Sequence, residues 1–164
     1  METAPAEVRH YAAWRLWRWV EGEKGDTAGD RGKRWTETFG PFFRDCWPQD
    51  VQCRDEATSK RLVNAAVVAG DAFEEAVRSI LPVLVPFEMW NARVIWVHSE
   101  SGAELPKRSP CVFVALLNTL IDPDKVRPPR DLGEVLALCL AAEPALATEP
   151  SYRRLHAISR SQSA

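Results

Sequence analysis

The sequence predicts an all-α protein of seven or eight helices stacked as helix pairs, either a HEAT-like α-solenoid fragment or an irregular bundle. Three observations predict it. Apolar residues recur at helical spacing in one segment after another, bounded by Asp, Ser, Gly and Pro at capping positions, and no set of strands is convincing. The second half of the chain repeats the pattern of the first: Asp71, Glu74, Pro82 and Leu84 correspond to Asp131, Glu134, Pro144 and Leu146, as in arrays whose units bury their faces by stacking. Finally, 164 residues with 46% apolar and 27% charged side chains suit one soluble core. The expectation is a single helical domain over 1–160 and a frayed tail over 161–164.

The first helix runs from about Pro5 to Glu23. "GEKGDTAGDRG" reads as a flexible, charged loop. A second helix follows from about Asp30 to Trp47, with a break at Gly40-Pro41 because proline cannot donate to the preceding turn. "TSKRLVNAAVVAG" places Leu62, Ala65, Ala66 and Ala69 on one face and stops at Gly70. "DAFEEAVRSILPVL" follows with Phe73, Ala76, Val77, Ile80, Leu81 and Leu84 in register. Asp71 and Glu74 form its expected capping box and Pro82 its end. The two helices should meet across almost no loop.

"FEMWNARVIWVHS" spaces Phe87, Trp90, Val94 and Val97 as a helix, a strand over "RVIWV" being the alternative. "SPCVFVALLNTLIDP" opens with Ser109 as cap and Pro110 at the first helical position. It carries two apolar rows, Val112/Leu116/Leu120 and Phe113/Leu117/Ile121. After the proline-rich "DPDKVRPPRD", "DLGEVLALCLAAEPAL" repeats the Asp-x-x-Glu cap at Asp131 and Glu134. It is apolar nearly all round, which predicts burial between neighbours. "TEPSYRRLHAISR" is a short last helix with Pro150 in its first turn.

Composition argues against several functions. The formal net charge is −2, from 21 basic and 23 acidic side chains, and no segment has the basic excess of a phosphate-neutralising surface. No apolar run reaches the ~18 residues of a membrane span, and the N-terminus lacks the pattern of a secretory signal. The expectation is a cytoplasmic, soluble protein. Cys46, Cys53, Cys111 and Cys139 form no C-x-x-C pair and read as buried free thiols, a zinc site or a disulfide being the alternatives.

Nucleotide loops and H-E-x-x-H are missing, so no catalytic, cofactor-binding or metal-ligating residue is assigned and no cofactor is expected. Gly22, Gly25, Gly29 and Gly32 with Asp26 and Asp30 read as linker before they read as a metal or anion site. His98, beside Ser99, Glu100 and Ser101, puts base, nucleophile and acid within four positions. Working triads, however, are assembled from distant segments on a rigid scaffold. His98 with Glu100 and Arg108 is the one candidate for a helical enzyme or ligand-binding bundle. Arg153, Arg154, His156 and Arg160 read as the basic end of the last helix, a partner or phosphate contact being the alternative.

"WRLWRWV", Trp14 to Val20, is the most unusual stretch. With Trp14 at zero and about 100° per residue, Val8, Trp19, Ala12, Leu16, Val20, Ala13 and Trp17 occupy an arc from about 120° to 300°. That arc is the expected core face, with Arg9 intruding at its fraying end. Tyr11, Trp14 and Arg18 fall opposite, where the Arg18 guanidinium can cover the Trp14 indole. They are the candidate partner contact. A membrane-surface helix would need a more cationic polar face, and single-strand stacking would need more aromatics among the basic residues. Weak nucleic-acid binding is therefore a minor alternative.

These residues also carry a resemblance. "LWRWVEGEKGD", "FFRDCWPQD", "SKRLVNAAVVAGDAFEEAVRSILPVLVP", "CVFVALLNTLID" and "LGEVLALCLAAEPALATEPSYRRL" resemble a helical region of unknown function at the C-terminal end of large bacterial proteins. Some of those carry a sirtuin-like NAD-hydrolysing domain and are associated with anti-phage defence. The resemblance implies a non-catalytic module that senses, scaffolds or assembles, with a protein partner or another domain of a larger protein as its target. It leaves an oligomer open and carries over no NAD-binding residue.

Overall fold

The computed structural model describes residues 5–47, 55–92 and 105–161. The fold is all-α, with no strand among the described residues. The chain divides into two compact units, Met1–Val85 and Pro86–Ala164.

In the first unit, α1 (Ala6–Glu21) packs mainly against α4 (Glu56–Val68). The connection from α1 to α2 (Ala28–Arg34) is built, not loose. The Thr27 hydroxyl accepts the Asp30 N–H at 3.1 Å while the Asp30 carboxylate accepts the Thr27 N–H at 2.9 Å, a complete capping box. Asp26 accepts the Glu23 N–H at 2.7 Å and pairs with Arg34 at 2.5 Å, and Arg31 donates to the Asp26 carbonyl at 2.8 Å. The flexible linker expected over Gly22–Gly32 is thus a hydrogen-bonded loop followed by a helix. Gly32 serves close approach: a Cβ on this buried residue would lie 3.2 Å from the Ala72 nitrogen.

The expected break at Gly40-Pro41 is absent. α2 passes through a π-helical turn, Trp35–Phe39, into α3 (Gly40–Cys46), with the Gly40 N–H reaching the Trp35 carbonyl. The wider turn makes room for a proline ring that would clash in a regular helix. Trp35, Phe39, Phe43 and Trp47 form a buried ladder along this rod, with successive ring centroids 4.2, 5.9 and 5.3 Å apart. Steps of four keep the rings on one helix face.

Asp55 caps α4, accepting the Thr58 N–H at 2.8 Å. Gly70, at φ +60°, turns the chain through Gly70–Ala72, a 3-10 turn, into α5 (Phe73–Ile80). Asp71 does not cap α5: the residue at the cap is Ala72, which offers no side-chain oxygen. Phe73, Ala76, Val77 and Ile80 are buried as their spacing predicts, and Leu81–Val83, containing Pro82, ends the helix.

The second unit opens with an irregular strap, not the expected helix, over Phe87–Trp90. Two hydrogen bonds tie its end to the loop before α8. The Arg130 N–H donates to the Trp90 carbonyl at 3.1 Å, and the Asp131 carboxylate accepts the Ala92 N–H at 2.5 Å. Asp131 is therefore spent on the strap and does not cap α8 with its side chain. Val94 and Val97 lie outside the described residues. After α6 (Leu105–Arg108), α7 (Pro110–Leu120), α8 (Leu132–Ala142) and α9 (Pro150–Ser161) pack on one another. Both predicted apolar rows of α7 are buried. In contrast, α8 is one-sided. Leu132, Val135, Leu136 and Cys139 are buried, while Ala137, Leu138, Ala141 and Ala142 face solvent. Three of its six exposed positions are alanine, and exposing a methyl costs little. Ser161 ends α9; the rest of the expected tail lies outside the described residues.

A candidate interaction surface on the first helix

The burial pattern of α1 sharpens the wheel drawn from the sequence. Arg9, Ala13 and Val20 are buried, and Ala12, Leu16, Trp17, His10, Glu21 and Trp14 are half-buried. On the same wheel these span about 160° to 360°. The core arc read from the sequence was therefore centred too far round. Val8 and Trp19, assigned to the core, are exposed at 54% and 42%, and Arg9, treated as an intruder, is buried. The signal was present in Arg15, an exposed cation lying between Val8 and Tyr11 on the wheel.

The three residues expected to form the contact separate. Tyr11 is 59% exposed, and its ring lies against that of Trp14, with centroids 6.0 Å apart and planes tilted by 31°. Trp14 is half-buried. Arg18 is exposed but does not cover Trp14: it pairs with Glu21 at 2.5 Å. The guanidinium-on-indole contact of this region is made instead by Arg61 of α4, 5.1 Å from the Trp17 ring centre. Trp17 is thus pinned from the side and Trp14 is packed by Tyr11. The outer face of α1 consists of Glu7, Val8, Tyr11, Arg15, Arg18 and Trp19.

A second exposed aromatic is Trp90, 62% accessible, with the Arg130 guanidinium 3.6 Å above its ring. Around them Glu88, Met89, Arg127 and Pro128 enclose a cavity of about 30 Å³. That is room for a water or two, far below the ~300 Å³ at which ligand pockets begin.

The remaining sequence candidates resolve into structural roles or lie elsewhere. His98, Ser99, Glu100, Ser101 and Cys53 are outside the described residues, and Arg108 lies on α6. Among the described residues no group of three His, Cys, Asp or Glu side chains is placed to hold a metal ion. Arg153 and Arg154 sit in the first turns of α9, not its last. Arg154 closes the end of α7, donating to the Asn118 and Ile121 carbonyls at 3.2 and 2.9 Å, and Arg153 donates to the Ala147 carbonyl at 3.1 Å. Arg160 lies in the last turn of α9 as expected, while Arg154 complements the end of a neighbouring helix instead. His156 stacks on Tyr152, with centroids 5.9 Å apart.

Of the thiols, Cys111 is exposed, against expectation, and Cys139 is buried as expected. Burial pushes the Cys139 thiol up to about 12, with Cys111 adding to the effect. In the α1–α2 loop the Glu23 N–H and the Arg34 guanidinium hold the Asp26 carboxyl below its ordinary value, and the Thr27 hydroxyl and N–H do the same for Asp30.

No protein-family model and no solved structure matches the chain. The chain is similar to a protein of Sinorhizobium fredii that bears the name "Uncharacterized protein y4cA". The two are 31% identical over 159 residues, which is 95% of this chain and 12% of that protein. The similarity thus takes in nearly all of this chain and a small segment of a much longer polypeptide. No helix among the described residues is long and apolar enough to cross a membrane.

Proposed function

We propose that this chain is a non-catalytic helical interaction module that scaffolds or senses by docking protein through the outer face of α1. The observation that carries the reading is the exposure of Val8, Tyr11 and Trp19 on one side of a single helix, at 54%, 59% and 42%. Large apolar side chains gathered on one face, with Arg15 among them, match the composition of interface centres, where aromatics and arginine are enriched. The alignment with a segment of a longer protein is compatible with a module that works beside other domains. The resemblance to helical regions of large bacterial proteins gives the proposal its setting: a cytoplasmic assembly, of which anti-phage defence is the instance the resemblance names.

The test is a photo-cross-linking amino acid at position 11 in the native cell, with the same group at exposed Lys125 as the control. The proposal expects a discrete protein adduct from position 11 that disappears in the Trp19→Ala background. Equal, diffuse labelling from both positions contradicts it.

A further inference from the structure

The exposed residues of α1 form a pattern that reads the same from both ends. On the wheel they occupy an arc from about 20° to 140° in three rows. Glu7 and Arg18 make one edge, Tyr11 and Arg15 the centre, and Val8 and Trp19 the other edge. The two edge rows pair a residue near the start of the helix with one near its end, and Tyr11 and Arg15 flank its middle. All three pairs straddle the same midpoint, within half a residue of Ala13.

Two antiparallel helices related by a two-fold axis bring like rows together with the ends exchanged. In such a pair Glu7 meets Arg18 of the second copy, Tyr11 meets Arg15, and Val8 meets Trp19, each contact made twice. A half-residue spread of midpoints displaces the contacts along the axis by only about 1.5 Å. We infer that the outer face of α1 is a self-recognition surface, and that its occupant is α1 of a second copy of this chain in antiparallel register. The inference rests on the reading of α1 as a docking surface and names what docks.

The chemistry of each row fits. Arg15 makes no hydrogen bond or ion pair among the described residues, and a tyrosine ring offers an exposed guanidinium a favourable face. Arg18 already holds Glu21 at 2.5 Å, but a guanidinium has five N–H donors and can serve a second carboxylate. Val8 against Trp19 removes apolar surface from water on both copies. The footprint is small, because a 16-residue helix is about 24 Å long and 10 Å wide. A standard interface buries about 800 Å² on each partner. The pairing is therefore reversible and depends on concentration.

The test is sedimentation velocity of the purified chain over a concentration series from about ten micromolar to one millimolar, the range in which small interfaces associate. The expected result is a shift from monomer to dimer in the wild type. Arg15→Glu and Trp19→Ala should remain monomeric at every concentration with unchanged helical circular dichroism. Glu7→Lys should weaken dimerisation at least tenfold by setting a lysine against Arg18, and Glu7→Lys with Arg18→Glu should restore it. Phe42→Ala, at an exposed residue of α3, should change nothing. A wild type that stays monomeric throughout, a dimer indifferent to Arg15→Glu, or a double reversal without rescue overturns the inference. A monomeric wild type that still gives the Trp19-dependent adduct to a different protein from position 11 overturns self-pairing alone. Loss of that adduct as well removes the docking reading with it.

Discussion

Gly70 is the position at which one methyl group should do the most damage. Its φ of +60° lies in the left-handed region, and a Cβ built on it would overlap the carbonyl group of Ala28, the first residue of α2. Two costs therefore add in Gly70→Ala. Holding an alanine in the left-handed conformation costs about 1–2 kcal/mol. Forcing an extra methyl into backbone that cannot rotate aside adds about 1–3 kcal/mol more, because α2 must lift off the Gly70–Ala72 turn. The expected loss is about 2–5 kcal/mol, a large part of a domain's stability. Gly25→Ala separates the terms. Its φ is +106°, but a Cβ there would meet nothing within 4 Å, so it bears the backbone cost alone. Urea unfolding followed by far-ultraviolet circular dichroism, with the midpoint and slope fitted for each variant, compares the two. The reasoning fails if Gly70→Ala is no more destabilised than Gly25→Ala.

Other consequences concern titration and reactivity. Asp26 has a folded-state pKa below its ordinary 3.8, so its contribution is present above that value and fades as pH falls through the folded one. Asp26→Asn should lower stability at neutral pH and flatten the acid limb of the stability–pH curve, an outcome read from urea midpoints at a series of pH values. An unchanged acid limb would assign the loss of stability to other carboxylates. For Cys139 the sign is opposite. A thiol raised from 9.0 to about 12 stays neutral in the fold while the unfolded chain ionises, so its contribution is intact below pH 9.0 and lost as pH rises toward about 12. In the folded protein a thiol reagent should modify Cys111 quickly and Cys139 only at the rate of unfolding, with mass-spectrometric mapping as the readout. Fast modification of Cys139 would contradict its burial.

Spacing made the helices legible because apolar periodicity records which face each helix buries. α7 and α5 show this directly: both predicted rows of α7 are buried, and of the α5 face only Leu81 stays half-buried. What failed was chemistry that depends on a partner in space. Asp71 and Asp131 have the sequence form of capping residues. Yet the residue at the cap of α5 is Ala72, and the Asp131 carboxylate goes to the Ala92 N–H, thirty-nine positions away. The capping box that does form, Thr27 with Asp30, lay inside a stretch whose glycines made it look like linker. Pro41 was read as a break because a regular helix cannot hold it, and the π-helical turn is the exception that can. On α1 the composition of the candidate surface was visible but its rotation was not. Rotation was set by α4, through Arg61 on Trp17 and the burial of Arg9. That shift moved Trp19 and Val8 outward and Trp14 partly inward.

The claim that the outer face of α1 is a docking surface is tested most directly by rapid hydroxyl-radical footprinting. Oxidation of Val8, Tyr11 and Trp19 is compared between dilute purified protein and the living cell, with Phe42 and Trp90 as exposed internal references. The account predicts that the three α1 residues are strongly protected in the cell, and in concentrated protein, while Phe42 and Trp90 keep their reactivity. Equal oxidation of Tyr11 and Trp19 under all three conditions would contradict it.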